Sequence, residues 1–313
     1  MSLPLGENVW VFHAGALGDH VMIWPVVRAL ARQGTRVTVV AAGTHAELCE
    51  REIGAQVAGA GRVVGVDAEA PRVVHLWRGA EGVREEWVDP GVSAVVTFVA
   101  APDAEGGARW HAGAARMFPN AERVFVGRPD TEDGAAGRGL LWERARVGER
   151  GGVEALRNPS GPIVLYLGAG AAGKRLSDGQ WVGVVEMLME EEGVGDSPIH
   201  LVVGRNEVEC GVTADGVVGA VGRRARVRGV VCEDARTLAD EVRGARVVAG
   251  GDTGPVHLSA QLGVPTLAIF GPTDARVWSP VGPRVRVMAA ASGVVGEIEA
   301  EGIVREIVGL AEK

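Results

Sequence analysis

Three glycine turns carry the side chains of this sequence best suited to chemistry, each standing between an apolar run and a stretch of helical spacing. In the last, Arg246 to Ala249 leads into Gly250-Gly251-Asp252-Thr253-Gly254, Pro255 to Leu262 continues with helical spacing, and Thr266 to Phe270 is the next apolar run. Pro255 suits a first helical turn. The amides of Thr253 and Gly254 and the Thr253 hydroxyl would then point outward, with the positive end of the helix dipole behind them. Such a turn is an anion site by construction, and His257, one turn in, could reach the same anion. On local spacing alone a second reading stands beside it, in which Asp252 caps the helix and His257 is a hydrogen-bonded core group.

The middle turn, Gly168-Ala169-Gly170-Ala171-Ala172-Gly173-Lys174-Arg175, follows the apolar run Ile163 to Leu167. It satisfies the dinucleotide pattern GxGxxG, but the next strand, Ile199 to Val203, ends without the acidic residue expected about 20 positions on. It also spells GxxxxGK, yet Arg175 stands where a P-loop needs Ser or Thr for magnesium. What both patterns share is retained: Gly168 and Gly170 let backbone amides approach a phosphate, and Lys174 neutralises it. Of the 32 Lys and Arg residues, only Lys174 and the terminal Lys313 are lysine. A compact ammonium in a chain that otherwise uses guanidinium suggests a site that needs a point charge.

The first turn, His13 to Asp19, follows the apolar run Asn8 to Phe12 and precedes a helix expected over His20 to Arg32. Asp19, His13 and His20 are level candidates for a general base, and on spacing alone Asp19 is better read as a simple N-cap.

The elements that must hold these turns alternate. Arg36 to Ala41, Arg62 to Val66, Ala94 to Ala100 and Arg123 to Val126 read as strands, with helical stretches around Ala46 to Ile53, Ala104 to Met117 and Leu140 to Arg146. This predicts parallel sheets with covered faces, which bind ligands beyond the carboxyl ends of their strands. Periodicity gives way to Gly and Pro from Glu149 to Pro162, so two domains are expected, 1–155 and 156–313. In the second, helices are expected over Asp178 to Glu192, Leu238 to Ala245 and Glu301 to Ala311, the last able to fold back on the first domain. Arg223 to Arg228 alternates like a half-exposed strand rather than a basic patch. His75, Trp77, Arg78, Trp87, Trp110 and His111 could meet a carbohydrate, but such residues more often pack.

A chain of 313 residues with a net charge of −8 argues against nucleic acid as partner. Cys49, Cys210 and Cys232 lack the spacing of a disulfide framework or zinc knuckle, which fits a reducing cytoplasm. No basic leader precedes an apolar core, and no run reaches the roughly 18 apolar residues of a spanning helix. A soluble protein is expected, at most peripheral to a membrane.

The string D-T-G-P-V-H-L-S-A-Q-L-G-V-P-T-L-A-I-F-G-P-T-D, Asp252 to Asp274, resembles the signature of glycosyltransferase family 9, the ADP-heptose:lipopolysaccharide heptosyltransferases. The resemblance implies a GT-B fold: α/β, two Rossmann-like domains facing a cleft, the acceptor on the first and the nucleotide-sugar on the second. It implies that Asp252, Thr253, Gly254 and His257 hold the diphosphate and sugar of the donor. It also implies that Asp19, in L-G-D with Pro25 six residues on, is the general base. Lys174, followed by a helix bearing Trp181, is similar to the family's lysine, and Gly204 to Glu209 resembles its G-x-x-x-E turn, with Glu207, or Glu209 behind it, on the ribose. Val231 to Asp234 would line the base pocket. One departure is that Ala169 and Gly170 stand where many family members place hydroxyl residues.

The implied reaction is inverting transfer of a heptose-like sugar from a nucleoside diphosphate, with ADP the expected one, to a lipopolysaccharide-core or related glycan. The expected enzyme is a cytoplasmic monomer, at most peripheral at the inner membrane, with no metal and no cofactor beyond the donor substrate. A nucleotide-sugar epimerase, turning over without acceptor, and a non-catalytic sugar-nucleotide sensor are the alternatives.

Overall fold

The computed structural model describes residues 4–312, apart from 58, 60, 105, 129, 195 and 223–225 and the side chain of 133. The chain divides into two compact units, Met1–Gly152 and Val153–Lys313.

In the first unit five strands are described: β1 (Asn8–Phe12), β2 (Arg36–Ala41), β3 (Val63–Asp67), β4 (Ala94–Thr97) and β5 (Glu122–Phe125). They pair in parallel in the order β3-β2-β1-β4-β5. The chain winds outward from β1 to β3 and then returns beside β1 as β4. The topological switch point therefore lies between β1 and β4, where doubly wound sheets bind ligands. One face is filled by an aromatic core of Trp10, Phe12, Trp110 and Phe118, with the Phe12 and Trp110 rings edge to face at 5.1 Å.

The second unit repeats the plan with β6 (Ile163–Tyr166), β7 (Ile199–Gly204), β8 (Val227–Cys232), β9 (Val247–Gly251), β10 (Thr266–Phe270) and β11 (Val285–Ala289). Their order is β11-β10-β9-β6-β7-β8, again parallel, with the switch point between β6 and β9. The helix Gly254–Gln261, between β9 and β10, is buried along seven consecutive residues, Pro255 to Gln261. Burial on every side requires its polar groups to be satisfied. Ser259 Oγ donates to the Val256 carbonyl at 2.8 Å and meets Thr266 Oγ1, while Gln261 Nε2 donates to the Val281 carbonyl.

Several elements differ from expectation for identifiable reasons. The single helix expected over His20 to Arg32 is two, Leu17–Val21 and Trp24–Arg32. Pro25 has no amide to continue the first helix and instead occupies the first turn of the second. The helix expected around Leu140 to Arg146 runs over Glu132–Arg144 and starts at Thr131, whose hydroxyl accepts from the Gly134 amide. The helix expected over Ala104 to Met117 is Gly107–Met117, and position 105 lies outside the described residues. The strand expected over Arg223 to Arg228 is β8, shifted toward the apolar residues, with 223–225 outside the described residues.

The closing helix, Ala300–Ala311, turns its apolar face into the core of the second unit, where Ile303, Val304, Ile307 and Leu310 pack with Trp181, Val184 and Leu188 of the helix Asp178–Glu190. Among the described residues no helix is long and apolar enough to cross a membrane. Ile307 is fully buried, so Ile307→Ala should cost about 2–4 kcal/mol of stability, read as a lowered urea midpoint with the slope unchanged.

Candidate active site

At the switch point of the second unit the carboxyl ends of β6, β9 and β10 bring three turns together around one carboxylate. Asp252, only 8% exposed, accepts from Lys174 Nζ at 2.7 Å and from Thr273 Oγ1 at 2.8 Å on Oδ2. Its Oδ1 lies 3.3 Å from His257 Nε2. Burial works against ionisation, but the bonds from His257, Lys174 and Thr273 outweigh it and hold the carboxyl down at about 2. Asp252 is therefore an anion, and His257 must carry its proton on Nε2 to donate to it. The close approach of Lys174 depends on Gly251: a Cβ there would lie 2.6 Å from the Lys174 carbonyl oxygen.

Asp252 does not cap the helix. The N-cap is Thr253, with extended backbone and no side-chain capping bond, and its hydroxyl donates back to the Gly251 carbonyl at 3.1 Å rather than pointing outward. The Thr253 and Gly254 amides have no partner within the helix, whereas Val256 already donates to the Thr253 carbonyl at 3.1 Å, and the positive end of the dipole lies there. Lys174 uses one of its three N–H donors on Asp252, and its side chain is 26% exposed. The turn can thus offer an anion two ammonium donors and the helix amides, beside a buried negative charge that a phosphate must avoid.

Next to this hub, Glu207 reaches the glycine run. A Cβ on Gly168 would lie 2.5 Å from Glu207 Cγ, so only glycine lets the two meet, whereas a Cβ on Gly170 would enter open space. The Tyr166 hydroxyl at the end of β6 donates to Glu207, and burial followed by the Glu207 charge pushes its pKa up. Glu209 instead pairs with Arg205 at the surface. Of the two glutamates, Glu207 is the one beside the Gly168 turn. Trp181 is a core residue, 1% exposed.

The first unit places His13, Asp19 and Phe98 at its own switch point. Asp19 is exposed, within the short helix Leu17–Val21 rather than at its cap, which is Ala16. His13 Nδ1 accepts the Gly15 amide at 3.1 Å. His20 is fully buried, its Nε2 bonded to the His45 carbonyl at 3.1 Å, and its ring stacks on that of His45 at 5.7 Å. Burial, then the His45 charge, pulls His13 down to about 4. Burial, then His13 and His45, pulls His20 to about 3. His20 is out of reach as a base for a bound hydroxyl.

Among the remaining aromatic and histidine candidates, packing explains most. Trp110 is fully buried, the His75 and His111 rings bond the Gly82 and Ala100 carbonyls, and Trp87 packs edge to face on His75. Trp77 is 42% exposed, and Arg78 is exposed. Spacing did not single out Thr273, Tyr166 or His45. Thr273 was findable, because it follows β10, the neighbour of β9, and so emerges at the same sheet edge as Asp252.

Residues 235–301 match the family model described as glycosyltransferase family 9 (heptosyltransferase). That segment is similar to glycosyltransferase family 9. It begins at the helix before β9 and includes Asp252, Thr253, Gly254, His257 and Thr273. No curated protein matches this chain in sequence.

Solved structures match over nearly the whole length. The Escherichia coli heptosyltransferase WaaC with ADP is 17% identical, with a TM-score of 0.66, covering 97% of this chain and 100% of its own. A glycosyl transferase family 9 protein from Veillonella parvula is 14% identical, with a TM-score of 0.67, covering 100% of this chain and 99% of its own. The Escherichia coli ADP-heptose lps heptosyltransferase II is 13% identical, with a TM-score of 0.63, covering 97% of this chain and 98% of its own. These likenesses give the chain the GT-B fold of the heptosyltransferases, and with the family match they support a glycosyltransferase.

The buried rings of the first unit and the buried carboxylate of the second titrate in separate windows. His13 and His20 bind protons more readily when unfolded, where their ordinary value is 6.5. Stability should be full above that pH and decline as pH falls toward about 4 for His13 and about 3 for His20. Asp252 adds a loss only as pH falls below its ordinary 3.8 toward about 2. Urea midpoints measured from about pH 7 to about pH 4 should fall, and His20→Leu should flatten the decline.

Proposed function

We propose that this chain is an inverting, metal-independent glycosyltransferase. It moves a heptose-like sugar from a nucleoside diphosphate, ADP in the closest reading, to a hydroxyl of a lipopolysaccharide-core or related glycan. The observation that carries the proposal is the Lys174–Asp252–Thr273–His257 constellation at the β6/β9 switch point, within a fold shared with a heptosyltransferase solved with ADP. Such an acceptor would be met at the cytoplasmic face of the inner membrane by a peripheral, monomeric enzyme.

Asp19 takes the proton of the acceptor hydroxyl as its oxygen attacks the anomeric carbon. The bond from that carbon to the diphosphate breaks on the opposite face, and its electron pair leaves with the phosphate oxygen. Lys174 and the amides of Thr253 and Gly254 meet the developing charge. Asp252, an anion itself, acts through its neighbours: it aims the Lys174 ammonium and keeps His257 in the tautomer that presents Nδ1 to the donor. Glu207, beside Gly168 and Gly170, accepts from the ribose hydroxyls.

If Lys174 is the point charge on the leaving group, Lys174→Arg should lose at least about tenfold in acceptor-dependent release of nucleoside diphosphate, and Lys174→Ala should also weaken nucleoside diphosphate binding. Full activity in Lys174→Arg, or equal diphosphate release without acceptor, would sink the reading in favour of another use of the glycine run or of an epimerase.

Neutralisation of the leaving group falls to Lys174 and the helix amides. Among the described residues no group of three or more His, Cys, Asp or Glu side chains is placed to hold a metal ion. Transfer should therefore survive exhaustive chelation, and loss that magnesium restores would overturn the metal-independent mechanism.

A further inference from the structure

We propose that His13 is a positioning residue for Asp19: it holds the turn that carries the proposed base and does not itself exchange a proton with substrate. The inference rests on the reading of Asp19 as the base and extends it to the residue that fixes where that base stands.

His13 is the residue immediately after β1, and its backbone is locked there, since its amide donates to the Val40 carbonyl of β2 at 2.8 Å. Its ring is fixed from two sides, with centroids 5.8 Å from His20 and 5.5 Å from Phe98. From this held position Nδ1 accepts the Gly15 amide at 3.1 Å, a bond across the start of the turn.

Gly15 is also where Asp19 rests. A Cβ on Gly15 would lie 2.6 Å from His13 Cε1, 2.8 Å from Asp19 Cβ and 3.1 Å from Asp19 Oδ2. The imidazole and the carboxylate thus pack against the same α-carbon, and the bond to Nδ1 sets where that carbon is. Asp19 is exposed, so its direction depends on the backbone beneath it. A displacement of about 1 Å at a reacting group can cost a hundredfold in rate.

The atom assignment separates this role from that of a base. Because Nδ1 accepts an N–H, it is unprotonated, and the ring proton sits on Nε2. Burial favours this neutral form, so the ring remains an acceptor toward Gly15 at neutral pH. Nδ1 is occupied and Nε2 already carries a proton, which leaves the ring no free lone pair with which to deprotonate a hydroxyl.

The amides of Asn and Gln distinguish the two ring nitrogens, since the Asn oxygen falls near Nδ1 and the Gln amide near Nε2. His13→Leu should lower kcat for acceptor-dependent transfer by about tenfold or more with donor KM within about twofold, and should speed hydrogen exchange at the Gly15 amide. His13→Asn should restore most of both, and His13→Gln should not.

Unchanged kcat in His13→Leu, rescue by Gln in place of Asn, or Gly15 exchange that no variant alters would overturn the proposal. If His13→Leu does not fold, the contrast between Asn and Gln carries the test. Asp19→Asn, measured alongside, should lose about a hundredfold. Retained activity there would instead overturn Asp19 as the base, while Gly15 exchange would still report on the His13 bond.

Discussion

A buried negative charge organises the second unit. Leaving a buried carboxylate without partners costs several kcal/mol, so Asp252 can persist as an anion only where positive and polar groups converge on it. Those groups come from separate parts of the chain: Lys174 from the turn after β6, Thr273 from the turn after β10, and His257 from one turn into the helix that Asp252 precedes. The same carboxylate therefore ties together the carboxyl edge of β6, β9 and β10. Removing any one partner would disturb the others, because they share two oxygen atoms.

This arrangement resolves a conflict within the anion-site reading of the turn. Helix amides and a lysine attract a phosphate, while a carboxylate with a pKa of about 2 repels it. The conflict disappears if the carboxylate faces inward and the ammonium is shared between it and the ligand. The first unit meets the same topological position by different means. At the β1/β4 switch point the buried groups are imidazoles kept neutral by burial, so no counter-ion is required and the one charge at the turn, Asp19, stays at the surface. One unit buries its carboxylate among partners and the other leaves its carboxylate exposed.

Much of this was legible in the sequence because it is local. The apolar runs Asn8–Phe12, Arg36–Ala41 and Thr266–Phe270 are strands with the bounds their composition implies. The three glycine turns fall at strand ends, as βα alternation requires. What escaped is of two kinds. β11 carries Arg286 among its valines and is only partly buried at one edge of its sheet, so neither a continuous apolar run nor a regular alternation marks it. The second kind is contact between distant residues. Lys174 and Asp252 are 78 positions apart and His20 and His45 are 25 apart, and spacing within a turn carries no information about which other turn it meets. The resemblance to a family nominated Asp252 as a donor-holding group without indicating that its carboxylate bonds Lys174, His257 and Thr273.

The rarity of lysine and the geometry of Asp252 bear on each other. With arginine at nearly every basic position, an arginine at position 174 would be the ordinary outcome for this chain. A guanidinium beside a buried carboxylate tends to form the two-pronged planar pair, with its donors spent on that partner and its plane fixed by it. An ammonium makes a single bond to Oδ2 at 2.7 Å, which leaves a second lone pair of that oxygen to accept from Thr273 and two N–H donors for other partners. The buried oxygen can then accept from both Lys174 and Thr273, and the cation can still serve a second anion. Lysine at this one internal position thus leaves a single charge that can be shared between the Asp252 carboxylate and a second anion, as the proposed mechanism requires.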